Sequence, residues 1–378
     1  MSLINSYGPF LHAPLRPVEP QYCIFFVTNR CNARCAMCFN AKAEAASAGK
    51  DLALDEIEKI ARGFKRLLQF TISGGEPYLR EDLPDIVRAF VRESGAKFVT
   101  LTTNAFLPDR VIPATERILA QNPGARFNFC ISIDDIGERH DAIRGVKGGF
   151  ERLMETYREA LKLRRRFNNV EIHTTTVLSA LNRERILEVL DWIDANFEAE
   201  VPEVLLVRGS PRDPGAVGVD LEIYEAAMQK IETMSRNRAG KSGFKNRLIT
   251  TLTAQMSNVL VKSEREKRMI VPCVAGSKLV VIRADGTVDP CEILETLAPL
   301  EKRPSGLENF SLGNLRECDY RISDICHSDK AEGVRRFIKD TKCHCTFECA
   351  LFASMIFGPA CWPRLGSQFI KDWLFPRS

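Results

Sequence analysis

The stretch Thr28-Asn29-Arg30-Cys31-Asn32-Ala33-Arg34-Cys35-Ala36-Met37-Cys38-Phe39 decides how the rest of the chain is read. It follows Tyr22–Val27, an apolar run rich in aromatic and branched residues that predicts a β-strand. Its cysteines stand in the spacing Cys-x-x-x-Cys-x-x-Cys. Three thiolates on one short loop can hold three irons of a cubane cluster and leave the fourth iron open to an outside ligand. A structural zinc site would be closed by a fourth residue, and no further cysteine or histidine stands close by. The spacing points to a cluster with an open position; structural zinc is the competing reading.

Outward from this loop, apolar runs alternate with helical patterns. Strands are predicted at Phe70–Ser73, Phe98–Thr102, Phe127–Ile133, Val170–Leu178 and Val204–Val207. Helices are predicted at Asp55–Leu68, Asp82–Arg92, Val111–Ala120, Phe150–Arg166 and Arg183–Asn196. In the first of these, Ile57, Ile60, Ala61, Phe64, Leu67 and Leu68 fall on one face, and Asp55 and Glu56 suit the first turn. Such a series of βα units is an α/β pattern that predicts a parallel sheet with right-handed crossovers. In βα barrels the chemistry lies on loops after the strand C-terminal ends. The cysteine loop, Ser73-Gly74-Gly75-Glu76-Pro77, Thr103–Asn104 and Ser132-Ile133-Asp134 all fall at such ends. Beyond residue 209 the chain reads as polar and helical to about residue 270. Lys278–Ile282 and Thr287–Val288 then form a β-hairpin around Ala284-Asp285-Gly286. The remainder reads as loop.

Composition sets the class. An apolar fraction of 45% and a charged fraction of 27% are those of a soluble globular protein. A net charge of +4 over 378 residues is small, so basic runs such as Arg164–Arg166 read as solvated helix faces, not a nucleic-acid groove. No secretory signal opens the chain and no run approaches the roughly 18 apolar residues of a membrane span, which places the expectation in the cytoplasm. Thirteen cysteines in a reducing compartment argue for metal rather than disulfides. Cys23 and Cys130, in strand-like runs, read as small buried hydrophobes.

The cysteine loop and its place after a first strand resemble the radical S-adenosylmethionine superfamily. The resemblance implies a partial (βα)6 barrel, a catalytic [4Fe–4S] cluster on Cys31, Cys35 and Cys38, and S-adenosylmethionine on the open iron. Met37 stands where the family usually carries an aromatic residue that packs over the cofactor. Gly74, Gly75, Glu76 and Pro77 resemble the segment that binds the cofactor's methionine part, with glycines letting backbone approach the ligand and Glu76 near the ammonium group. Ser132 and Asp134 share one face of a strand and would contact the ribose diol, or else form a polar strand end. Thr103 and Asn104 are further candidates for the same cofactor. Arg144, in His140-Asp141-Ala142-Ile143-Arg144-Gly145, would pair with the cofactor carboxylate or form a surface salt bridge. Val177 would pack on the adenine or in the core.

The last third resembles the auxiliary-cluster module called SPASM, or its shorter Twitch form. Cys273, Gly286 and Cys291 match its start, and Gly313–Asn314 a segment common in it. The full closing run is Cys-x2-Cys-x5-Cys-x3-Cys; here it is Cys343-x-Cys345-x3-Cys349, in which Cys345 and Cys349 fit the final spacing and Cys343 fits nothing. The resemblance implies one auxiliary [4Fe–4S] cluster on Cys273, Cys291 and two of Cys343, Cys345 and Cys349. Cys318, Cys326 and Cys361 would serve a second, and zinc is the alternative for the region. His344, between two cysteines, is a further candidate for ligation or hydrogen bonding.

The expected boundaries are an extension at 1–20, the barrel at 21–215, a helical connection at 216–270, the auxiliary module at 271–362 and a tail at 363–378. The expected activity is reductive cleavage of S-adenosylmethionine to a 5′-deoxyadenosyl radical, with an oxidative outcome assisted by the auxiliary cluster: dehydrogenation, or a carbon–sulfur or carbon–carbon bond. Redox-neutral epimerisation and modification of ribosomally made peptides are alternatives, and a non-catalytic Fe–S or zinc scaffold or sensor is the rival class. Expected partners are a low-potential electron donor of flavodoxin or ferredoxin type and a small-molecule or peptide substrate. About 20 residues precede the first strand, too few for a fused peptide-binding domain. The apolar tail, Phe369, Ile370, Trp373, Leu374 and Phe375, would pack on the barrel or touch a membrane surface.

Overall fold

The computed structural model describes residues 18–42, 50–198, 202–239, 244–298, 303–304, 307–363 and 365–367. The tail residues Phe369–Phe375 and His12 lie outside these.

Six strands form the predicted parallel sheet: β1 (Tyr22–Thr28), β2 (Gln69–Gly74), β3 (Phe98–Thr103), β4 (Arg126–Ser132), β5 (Val170–Leu178) and β6 (Glu203–Leu206), each paired with the next. Every residue of β1 is buried, as a strand covered on both faces must be. Its odd positions, Cys23, Phe25 and Val27, face the helical layer. Its even positions, Tyr22, Ile24 and Phe26, face the barrel interior. The layer outside holds α1 (Leu54–Gly63), α2 (Leu83–Ala89), α3 (Pro108–Gln121), α4 (Glu138–Arg144), α5 (Gly149–Arg166) and α6 (Ile186–Asn196). A π-helical turn, Phe90–Ser94, extends α2 and stacks Phe90 on Phe70 at 4.0 Å between ring centroids. α1 stops at Gly63 rather than running to Leu68. A Cβ there would stand 3.3 Å from Tyr320 O, and Phe64, Leu67 and Leu68 enter the core from extended chain instead.

The interior faces of β2 to β5 are polar. Gln69 Nε2 donates to Thr100 Oγ1 (3.1 Å), Thr102 Oγ1 to Ile72 O (2.7 Å), and Cys130 Sγ lies 2.8 Å from Thr175 Oγ1. Cys130 therefore carries a polar contact that its apolar run did not suggest.

After β6 come α7 (Leu221–Ala239) and α8 (Phe244–Glu266). The hairpin forms as expected, from β7 (Leu279–Ile282) and β8 (Thr287–Asp289), but it does not stand apart. β7 pairs parallel with β1, from Tyr22↔Leu279 to Phe25↔Ile282, and β9 (Gly313–Asn314) follows β8. All nine described strands thus make one sheet in the order β6-β5-β4-β3-β2-β1-β7-β8-β9. Among the described residues, the region read as loop contains a single helical turn at Leu294–Leu297 and three longer helices, α9 (Ile322–Cys326), α10 (Asp329–Asp340) and α11 (Glu348–Phe357). The apolar faces of α10 (Val334, Phe337, Ile338) were masked in the sequence by the surrounding cysteines and charges. α11 packs Ala350, Ala353 and Phe357 on the interior faces of β1 and β7, while Glu348 Oε1 accepts from the Leu206 amide of β6 (2.8 Å). It therefore bridges the open side of the partial barrel.

Candidate active site and auxiliary cysteine pocket

The Cys31–Cys38 loop leaves β1 and is bound to the ends of the neighbouring elements. Gly75 N–H donates to Thr28 O (2.7 Å) and Glu76 N–H to Arg30 O (2.9 Å) from β2. Asn104 Nδ2 donates to Asn32 Oδ1 (2.7 Å) from β3. Arg34 N–H donates to Arg144 O and Ala36 N–H to Ile143 O, each at 2.9 Å, in α4. Arg212 N–H and Asp213 N–H, beyond β6, donate to Cys38 O (3.0 Å) and Ala36 O (2.8 Å). A loop tied at so many points holds its thiols in one arrangement before any ligand arrives.

This changes the reasons assigned to several residues. A Cβ on Gly74 would stand 2.2 Å from Thr28 O, and one on Gly75 2.0 Å from Arg30 O. Gly74 also has φ of +126°. The close approach that demands these glycines is to the cysteine loop's own backbone. Glu76 is 1% exposed and its oxygens are engaged: Oε1 accepts from Thr103 Oγ1 (2.9 Å) and the Tyr78 amide (3.2 Å), Oε2 from the Asn104 amide (2.8 Å). It thus joins the ends of β2 and β3. Burial pushes it up to about 7 against the pull of those hydrogen bonds. Thr103 and Asn104 are thus its partners, and Pro77 opens the single 3₁₀ turn that follows.

Asp134 is fully enclosed. Its Oδ2 accepts from Arg144 Nε at 2.5 Å, and its Oδ1 from the Val177 amide at 2.9 Å. Arg144 is not on the surface; it is buried against Asp134 and beside Cys35. Ser132, half-buried at the end of β4, remains at the mouth. Met37 and Ile143 are buried together with Ala216, and Val177 and Cys35 pack against them, forming one apolar pad at the strand ends. Burial pushes Cys31 up to about 12 and raises Cys35, so each thiol takes up its anionic form only with a positive partner.

The second set lies in the last third. Cys273, Cys291, Cys343 and Cys345 line one cavity together with His344 and Ser354. Cys349 is not among them. It sits in the first turn of α11 on the barrel side, beside Tyr22, Arg208, Glu292 and Glu348. Cys345 and Cys349 nevertheless pack, with Cys291, against one apolar cluster under α11, and the unplaced Cys343 joins the pocket. Cys318, Cys326 and Cys361 do not meet: the first two belong to the core under α9, Cys361 to that of α7 and α8.

Sequence reading missed Arg208. Its guanidinium bridges Glu292 (2.9 Å) and Glu348 (3.0 Å) and lies over the rings of Phe39 and Phe347. One buried cation thus links the end of the cysteine loop, the end of β6 and the auxiliary region. The only signal was a charged residue directly after the run Val204–Val207.

Comparison with known proteins agrees with this geometry. The radical SAM superfamily matches residues 25–193, and SPASM, an iron–sulfur cluster-binding domain, matches residues 273–350. The chain carries a radical SAM domain followed by a SPASM domain. A radical SAM domain takes a [4Fe–4S] cluster and S-adenosylmethionine, and a SPASM domain takes auxiliary iron–sulfur clusters. Fe-coproporphyrin III synthase of Methanosarcina barkeri is 27% identical over 240 residues, 60% of this chain and 54% of that protein; the match thus spans about half of the relative's length. GTP 3′,8-cyclase of Erythrobacter litoralis is 25% identical over 291 residues, 68% of this chain and 80% of that one. Among solved structures, anSMEcpe with bound AdoMet and Cp18Cys peptide shares the fold, with a TM-score of 0.58, 14% identity, and coverage of 93% of this chain and 99% of that one. Among the described residues no helix is long and apolar enough to cross a membrane.

Proposed function

We propose that this enzyme cleaves S-adenosylmethionine on a cluster held by Cys31, Cys35 and Cys38 and oxidises its substrate, with the electron leaving through the SPASM domain. The observation that carries the reading is the presence of two separate thiol sets in one sheet system, three at the end of β1 and four in the pocket of the last third. Held by Cys31, Cys35 and Cys38, such a cluster would supply the electron for cleavage of S-adenosylmethionine to methionine and a 5′-deoxyadenosyl radical, which would take a hydrogen atom from the substrate.

The residues of this chain then have defined tasks. The backbone ties from β2, β3, α4 and the segment after β6 fix the thiols. Asp134 holds Arg144 against Cys35, setting a positive charge beside the cluster's thiolates. Met37, Ile143 and Val177 offer an apolar surface for the adenosyl group. Hydroxyl and amide groups on the interior of β2 to β5 suit a polar substrate, and α11 limits access of water from the open side.

The relatives include enzymes named for a porphyrin and for GTP, and a structural neighbour holds a peptide. Either a polar small molecule or a peptide is compatible with the interior. The reductant is a low-potential donor of flavodoxin or ferredoxin type. A redox-neutral outcome is the second reading, favoured by the Cys349 thiol on the barrel side, which burial pushes up.

Anaerobically reconstituted protein should produce 5′-deoxyadenosine when given dithionite and S-adenosylmethionine. Replacing Cys31, Cys35 and Cys38 with alanine should abolish this while leaving iron in the second pocket. Cleavage surviving the triple change would overturn the proposal. A scaffold or sensor would bind iron and make no deoxyadenosine.

A further inference from the structure

Arg208 lies between the two thiol sets, and each of its charged and aromatic contacts stands within two residues of a cysteine. Its Nη2 is 2.9 Å from Glu292 Oε2, next to Cys291, and its Nη1 is 3.0 Å from Glu348 Oε2, next to Cys349. Its guanidinium carbon is 5.5 Å from the ring centroid of Phe39, next to Cys38, and 4.7 Å from that of Phe347. Phe347 belongs to the apolar cluster on which Cys291, Cys345 and Cys349 pack, and Phe39 packs on the same cluster from the loop side. A cation placed there borders the cysteine-rich region on its barrel side. The cation and both carboxylates are nearly buried, so water screens their fields little. The Cys349 thiol shows the sign of that field. Burial raises it; Arg208 is the largest influence opposing the rise, while Glu292 and Glu348 add to it. Whatever favours a thiolate at this place also favours one further electron, because both add negative charge. Of the three charges, Arg208 alone favours the added electron.

We infer that Arg208 is the positioning residue that holds the reduction potential of the auxiliary iron–sulfur site high enough to take an electron from the substrate radical, with Glu292 and Glu348 pulling the other way. The inference rests on the oxidative reading proposed above, in which the substrate radical gives one proton to water and one electron to that site. Arg208 touches no reacting atom in this role. It acts through the charge that it sets beside the cysteines, and the two carboxylates fix where that charge stands.

The test uses the full chain with Cys31, Cys35 and Cys38 changed to alanine, reconstituted anaerobically with iron and sulfide, so that only auxiliary iron is read. Its reduction is followed by potentiometric titration with electron paramagnetic resonance. Arg208→Gln is expected to weaken reduction at least about tenfold, a fall of about 59 mV in midpoint potential for one electron. Arg208→Lys keeps the charge and is expected to restore most of that loss. Glu292→Gln is expected to raise the potential. Opposite signs from two variants that break the same contact follow from a field and not from a purely structural role. Shifts of the same sign, either glutamine variant without a shift, or a lysine variant that falls as far as Arg208→Gln overturns the assignment. If Arg208→Gln fails to hold iron, Glu292→Gln decides alone, and a potential that does not rise overturns it. A background with no iron overturns the auxiliary site itself and Arg208's role with it, whereas iron with unmoved potentials removes Arg208's role alone.

Discussion

At the scale of single residues, the demands of the cysteine loop explain more of the site than the demands of the cofactor do. Gly75 is the clearest case. An alanine methyl placed 2.0 Å from Arg30 O cannot be relieved by rotating a side chain, because both partners are backbone. Gly75→Ala should cost at least about 3 kcal/mol and displace the loop. Iron analysis should then show the catalytic cluster reduced or lost while auxiliary iron persists. Asp134→Asn tests the buried pair. It leaves Arg144 without its counter-charge and should cost about 3–5 kcal/mol, read as a lowered Tm of the apo chain. Both positions were visible in the sequence as members of short motifs. Their tasks were not, since a two-glycine segment before Glu-Pro reads the same whether it faces a ligand or another stretch of backbone. Only the register Phe26↔Ser73 and Thr28↔Gly74, set by strand pairing, distinguishes the two.

Elements of the barrel were legible because their apolar periods are strong. Val170–Leu178 has strict alternation and is found with the predicted ends. The failures share a cause: the deciding contact was distant in sequence. α1 ends at Gly63, against the backbone of Tyr320, and α11 is buried nearly all round by elements far from it in sequence. The junction of α1 with the segment after β9 also gives a pH prediction. Hydrogen bonds from Arg316, with help from the Ala53 amide and the Tyr320 hydroxyl, hold Glu56 down to about 2. A carboxyl depressed in the folded state stabilises above its unfolded value of 4.5 and loses that contribution as pH falls towards 2. Apo protein should therefore lose Tm across that acid window, and Glu56→Gln should flatten this part of the Tm–pH profile. An unchanged profile would mean that the contact does not couple the two regions.

For the whole molecule, Arg208 is the point where the two cluster regions meet. Removing its charge leaves Glu292 and Glu348 buried and facing each other, a cost of about 3–5 kcal/mol. Arg208→Met should lower Tm and weaken the docking of α11 against β6, read as faster hydrogen exchange at the Leu206 amide. A companion Glu348→Gln change on the Arg208→Met background should recover part of the loss, because the carboxylate that suffers most is then neutral. No pattern in the sequence foretold this triad, whose members come from three separate segments.

The parallel pairing of β7 with β1 has a kinetic side. The first strand is synthesised early, but one of its edges gains its partner only when the last third of the chain has emerged. Closing so long a loop is entropically slow, and an exposed edge made of Tyr22, Ile24 and Phe26 is an aggregation hazard while it waits. Truncation before Leu279 should therefore yield a chain that fails to accumulate in soluble form rather than a free-standing barrel. The ribosome and the cluster-assembly machinery face the same schedule, since the loop that receives the first cluster hangs from a strand that is finished last.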